Sequence, residues 1–170
     1  MPLDWFANKV DVWRSREATP AHVLRDVFEQ VATYAEARRQ LCETPLAAPA
    51  IFSLIGCKPC EMCIIERTES ADHVHDGIRA TANAWQAPAW SGRPRGLENS
   101  GRVRQLSALP AGSTDDFNWL EAPVLNSTTR LAAVFVPATG RIRAQGFAGL
   151  TPATACLATE PSRRARTSVG

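Results

Sequence analysis

The run Ala50-Ile51-Phe52-Ser53-Leu54-Ile55, closed by Gly56 and followed at once by Cys57-Lys58-Pro59-Cys60-Glu61-Met62-Cys63, constrains this chain more than any other stretch. A short, nearly unbroken apolar run bounded by glycine predicts a strand buried on both faces. Three thiols at such close spacing directly after it exceed what core packing asks for, and they suit redox exchange or metal capture. Pro59 fits the first turn of a following helix, where its missing N–H would have no partner in any case. Glu61, Met62, Ile64, Ile65 and Glu66 are compatible with continuing that helix. The first thiols would then sit at a strand-to-helix junction.

The rest of the composition narrows the class. A chain of 170 residues is long enough for one domain with a real core. A formal net charge of +2 with 21% charged residues implies no strong attraction to nucleic acid or to a membrane surface. No stretch approaches the roughly 20 apolar residues of a membrane span, and Asp4, Lys9 and Asp11 interrupt the first residues, so neither signal peptide nor anchor is predicted. The odd count of five cysteines (Cys42, Cys57, Cys60, Cys63 and Cys156) argues against a framework of structural disulfides. Reduced thiols in a cytoplasm are expected.

Along the chain, Val10, Val12 and Trp13 alternate as in a short strand, and Thr19-Pro20 marks a helix start with Thr19 as N-cap. Val23, Leu24, Val27, Phe28, Val31, Tyr34, Ala35 and Leu41 then recur at three- and four-residue spacing, which predicts one amphipathic helix to about Cys42. Asp72 to Trp85 is compatible with helix, whereas Pro88, Gly92, Pro94 and Gly96 make Ala87 to Ser100 a loop. Arg102 to Leu109 alternates like a strand, and Ser113 to Asp116 would cap a short helix through Leu120. Leu131 to Val136 and Arg141 to Phe147 flank Ala138-Thr139-Gly140 as a hairpin. Thr151-Pro152 would open a last short helix through Leu157. The tail from Pro161 to Gly170, with Arg163, Arg164 and Arg166, reads as disordered and solvated.

Taken in order, these elements resemble the thioredoxin fold. Ile51 to Cys60 is similar to that family's central strand running into its C-x-x-C, Arg102 to Leu109 to its next parallel strand, and Leu131 to Gly149 to its terminal hairpin. The resemblance implies an α/β, thioredoxin-like three-layer sandwich with a central mixed sheet flanked by helices. It implies a single domain over residues 1–160 with an enlarged loop at about 70–100, followed by the tail at 161–170. It also implies a thiol–disulfide oxidoreductase that needs no cofactor and acts on protein thiols or disulfides. Cys57 would be the attacking thiolate, stabilised by a helix N-terminus and by Lys58, and Cys60 would resolve the mixed disulfide. Three positions depart from the family: Gly56 stands where an aromatic is usual, Ile51 where an acidic residue is usual, and Thr129-Arg130 where a cis-proline is usual.

Two other classes compete. In a metal-binding protein, Cys57, Cys60 and Cys63 with His73 or His75 would offer three sulfurs and an imidazole to tetrahedral zinc. An iron–sulfur cluster would draw a fourth ligand from Cys42, Cys156 or a His. In an interaction module the same fold would carry idle thiols. Against the metal set, Cys63 reads equally as a small buried apolar residue, and His73 and His75 as a solvated pair. The tryptophans read as core and loop anchors, since no basic stripe accompanies them. Neither a phosphate loop nor an H-E-x-x-H nor a G-x-S-x-G motif is present.

Overall fold

The computed structural model describes residues 15–77, 80–110 and 117–159, together with Val12. The tail at 161–170 and the Ser113–Asp116 cap lie outside these residues, as does the Val10–Trp13 strand except at Val12, which is helical. The described chain is mixed α/β with two antiparallel sheets and three helices. It divides into two compact units, Met1–Asn99 and Ser100–Gly170.

In the first unit the expected single helix is two, α1 (Pro20–Gln30) and α2 (Tyr34–Glu43). The break follows from Thr33 and Glu36, whose spacing is that of a capping box. Thr33 is extended and its hydroxyl accepts the Glu36 N–H, satisfying one of the N–H groups a helix start leaves without partners. Val31 adopts a strand-like conformation to close α1. Thr19 does occupy the N-cap of α1 with Pro20 in the first turn, but its hydroxyl meets His22 Nδ1 at 2.8 Å instead of capping.

The sheet of this unit is the meander β1 (Ala50–Ile55), β2 (Met62–Arg67) and β3 (Asp72–Asp76), with β2 in the centre. Two expectations are corrected here. The helix placed after Pro59 is the strand β2, and the possible helix from Asp72 begins as the strand β3. The strand buried on both faces is β2, whereas β1 is an edge strand in which only Phe52 is buried.

Register and alternation sort the side chains of this sheet. Phe52 pairs with Ile65, Ile65 with Val74 and Leu54 with Cys63, so these residues share one face. Against that face pack Val23, Val27, Ala37 and Leu41 of the two helices, with Leu46 of the following loop. Ile64, Glu66, His73 and His75 share the opposite face, where Ile64 pairs with His75 and Glu66 with His73.

Arg67, at the end of β2 and 2% exposed, ties the helical layer to the sheet. Its guanidinium donates to the carbonyl of Leu41, to that of Thr44 at 2.9 Å and to that of Ala71 at 3.3 Å. Leu41 and Thr44 belong to the C-terminal end of α2, where carbonyls lack intrahelical partners and a positive charge complements the helix dipole.

The second unit holds α3 (Asn99–Ser107) and a four-stranded sheet. The helix replaces the strand expected at Arg102–Leu109. Of those residues only Val103 is β-branched, and Arg, Gln, Leu and Ala are all good helix formers. The expected hairpin is present as β4 (Leu131–Val136) and β5 (Arg141–Ala148), with Gly140 at φ 69° in the turn. β5 is the central strand, pairing on its other side with β6 (Thr151–Pro152) and β7 (Leu157–Thr159), so the final segment is extended and not helical. β4 is an edge strand on which Leu131 and Phe135 are exposed. Residues 117–120 form a bend and turn, and Leu120 joins Ala132 and Phe147 in a small core beside Trp119. Among the described residues no helix is long and apolar enough to cross a membrane.

Replacing Arg67 by Met keeps the buried volume but strands the carbonyls at the end of α2. A loss of about 3 kcal/mol is expected in urea unfolding, since charge-assisted hydrogen bonds contribute about 1.5–3 kcal/mol each and the carbonyls stay buried. Arg25→Ala, which removes only the exposed pair with Glu29, should change stability by less than about 0.5 kcal/mol.

Candidate functional site

Cys57 and Cys60 lie in the loop Gly56–Glu61 that joins β1 to β2, and both are exposed. The loop closes with Gly56 N–H donating to the Glu61 carbonyl at 2.7 Å. Inside it, Glu61 N–H donates to the Lys58 carbonyl at 3.2 Å, so Lys58-Pro59-Cys60-Glu61 is a β-turn. Pro59 occupies its second position, and Cys60 its third, at φ 67°. Proline followed by a positive φ is the signature of a type II turn, whose third position ordinarily takes Gly or Asn. A cysteine there bears a left-handed conformation that costs an L-residue roughly 1–2 kcal/mol.

Glu61 organises the rest of the loop. Its carboxylate turns back to accept the Lys58 N–H at 3.0 Å and lies over Gly56, where a Cβ would come within 2.4 Å of Oε2 and 2.7 Å of the Glu61 Cβ. Gly56, which stands where the thioredoxin family has an aromatic, is therefore needed for the close approach of Glu61.

The thiols thus stand in a hairpin turn, and the strand-to-helix junction expected for them is absent. The stabilisation of a Cys57 thiolate by a helix dipole goes with it, because no helix among the described residues begins at this turn.

Cys63, the third thiol, points the other way. It is buried on the helical face of β2, within hydrogen-bonding reach of the Tyr34 phenol, whose titration burial and Cys63 together push well above the ordinary range. His73 and His75 project from the opposite face of the sheet. Three sulfurs and one of these imidazoles therefore cannot meet around a single ion, because β2 itself separates Cys63 from the histidines. Among the described residues no group of three or more His, Cys, Asp or Glu side chains is arranged to hold a metal. Cys42 packs beside the core, and burial, reinforced by the charge of Asp72, pushes its thiol up to about 11. Cys156 is exposed in the second unit.

The histidine face holds an arrangement that no motif announced. Glu66 is completely buried. Its Oε1 accepts the Gln86 N–H at 2.6 Å, its Oε2 accepts the Ala87 N–H at 2.8 Å, and His75 Nε2 stands 3.3 Å from Oε2. Two consecutive backbone N–H groups of the loop beyond β3 are thereby fastened to the central strand. Trp85 and Trp90 meet edge-on at 5.2 Å between ring centres, and His73 lies between His75 and Trp90. Gly92 allows Trp85 to lie against the backbone, since a Cβ there would fall 2.9 Å from the indole nitrogen. Asn99 closes the loop by accepting the Asn83 N–H and donating to the Arg95 carbonyl. The two histidines are therefore parts of a layer, with His75 nearly enclosed, and not a solvated pair. The signal in the sequence was parity: His73 and His75 fall on one face of any strand, as does Glu66 opposite them.

The geometry of the turn sets two expectations. Cys60→Gly should raise stability by up to about 1 kcal/mol, the relieved strain exceeding the extra freedom glycine has in the unfolded chain; Gly56→Ala should lower it, and urea unfolding distinguishes the signs. A raised pKa keeps the Cys42 thiol protonated through and above its ordinary range and lets it ionise only as the pH climbs toward 11. Iodoacetamide at pH 8, followed by peptide mapping, should therefore modify the exposed Cys57 and Cys60 while sparing Cys42, which becomes reactive as the pH approaches its shifted value. Searches of family models and of curated proteins return no match for this chain.

Proposed function

We propose that the Cys57–Cys60 turn is a dithiol centre that exchanges with the thiols or disulfides of partner proteins. The observation that carries this reading is Cys60 itself. It occupies, at a cost in backbone strain, a turn position suited to glycine, and this keeps it exposed within three residues of the exposed Cys57.

In the reducing direction one thiolate of the pair attacks a partner disulfide, forming a mixed disulfide and releasing one partner thiolate. The second thiol, after losing its proton, attacks the chain's own sulfur in that bond. The Cys57–Cys60 disulfide closes, the second partner thiolate leaves, and two electrons have passed from the dithiol to the partner. A reducing compartment such as the cytoplasm would return the pair to the dithiol form. Without a helix N-terminus at the turn, the order in which Cys57 and Cys60 attack is set by the turn itself and is read from which variant accumulates the mixed disulfide.

A thioredoxin-like sandwich is the second reading of the fold, favoured by the C-x-x-C directly after β1 and by the β4–β5 hairpin with its turn at Gly140. It requires the thiols to act from a hairpin turn. Idle thiols in an interaction module are the alternative function, and the same experiment separates it.

Titration of the purified protein against glutathione redox buffers, with disulfide mapping by mass spectrometry, should show Cys57 joined to Cys60 over a defined range of potential. Cys57→Ser and Cys60→Ser should each abolish that link, and at least one of them should accumulate a mixed disulfide with a model disulfide substrate. Adducts at Cys156 alone, or no reversible link between Cys57 and Cys60, would refute the exchange reading.

A further inference from the structure

We infer that His73 and His75, backed by Glu66, form a two-imidazole binding site for a divalent transition cation of the nickel and copper class. The site uses none of the cysteines and stands apart from the thiol chemistry.

Three observations lead there. First, His73-Val74-His75 places two imidazoles on one face of β3, an edge strand, with ring centres 4.6 Å apart and planes inclined by 66°. Imidazole nitrogens about 2.0 Å from a shared ion, each about 1.1 Å from its ring centre, put the centres about 4.4 Å apart when the two bonds meet at a right angle. The observed separation is close enough for a nitrogen of each ring to reach one ion, and two imidazoles with the remaining positions open suit Cu²⁺ and Ni²⁺.

Second, the orientation of His75 is fixed from behind. Glu66 accepts a backbone N–H on each oxygen, and its Oε2 also stands 3.3 Å from His75 Nε2. That contact holds the Nε2 edge of the ring against Glu66 and turns the Nδ1 edge away from it. A carboxylate that orients a ligand histidine in this way also raises its basicity toward the metal. The His75 side chain is only 10% exposed and that of Glu66 not at all, so the arrangement is built into the fold.

Third, the surroundings are a partial enclosure. Trp90 stands 6.3 Å from His73 and Trp85 packs on Trp90. His73 is partly exposed on the edge strand β3 and gives an ion its way in, while His75 is nearly enclosed behind it. With two protein ligands, water or a bound ligand fills the other positions.

The test is titration of the full chain carrying Cys57→Ser and Cys60→Ser with NiCl₂, read by NMR. Paramagnetic broadening should strike the ring resonances of His73 and His75 and the indole N–H of Trp90 at one equivalent, while His22, the only other histidine, stays sharp. His73→Ala should weaken binding at least tenfold with far-ultraviolet circular dichroism unchanged, since His73 makes no hydrogen bond to Glu66 among those described. Glu66→Gln should weaken binding by about 10–100-fold, the range for loss of a partner that orients a metal ligand. Broadening of His22 equal to that of the pair, or Ni²⁺ affinity unaltered in His73→Ala, would overturn the site. So would an absence of binding below about 1 mM.

Discussion

The last two residues of β2 hold the first unit together, and they do so as opposites. Glu66 and Arg67 are adjacent, fully buried and directed to opposite faces of the sheet. A buried charge is expensive unless hydrogen bonds replace the water it has lost. Here backbone supplies most of them. Arg67 takes carbonyls from the end of α2 and from the β2–β3 turn, and Glu66 takes N–H groups from Gln86 and Ala87. Each charge satisfies backbone groups that would otherwise be orphaned: the carbonyls at a helix end and the amides of a loop without regular structure. Neither layer would be specified by apolar contact alone, least of all the loop, whose apolar residues follow no period.

This explains which parts of the fold were legible. The helical period between Val23 and Leu41, the apolar run of β1 and the β4–β5 hairpin each rest on a local pattern, and each is found. The break between α1 and α2 was also written locally, in Thr33 and Glu36, but the periodicity of the surrounding apolar residues hides it. Pro59 was ambiguous for a physical reason. The first turn of a helix and the second position of a type II turn demand the same φ and tolerate the same missing N–H. What decides is downstream, where β2 is buried on both faces and so shows no alternation. A strand of that kind and a buried helical segment look alike in a short window. Arg102 to Leu109 failed in the converse way, because its alternation was real but its residues favour helix.

The site divides along the same line. The exposure of Cys57 and Cys60 follows from a loop closed over Glu61, whereas the C-x-x-C spacing marked them only as a pair. That Cys63 belongs to another environment could not be read from spacing, because it depends on whether the segment after Pro59 is helix or strand. On a helix, Cys60 and Cys63 would be near neighbours. On β2, the strand carries Cys63 into the helical core beside Tyr34, away from the turn.

The same parity separates two chemistries in one small sheet. One face of β2 and β3 carries Cys63, Ile65, Arg67 and Val74, and the other carries Ile64, Glu66, His73 and His75. A soft thiol and borderline imidazoles that might have shared an ion are kept apart by a sheet one strand thick. A slip of the β2–β3 pairing by one residue would reverse this assignment, exposing the carboxylate to the helical core and the guanidinium to the loop. Both ions would then lose the backbone partners that make their burial tolerable. The charges that hold the layers in place therefore also hold the register, and through the register they decide which sulfurs and nitrogens can meet.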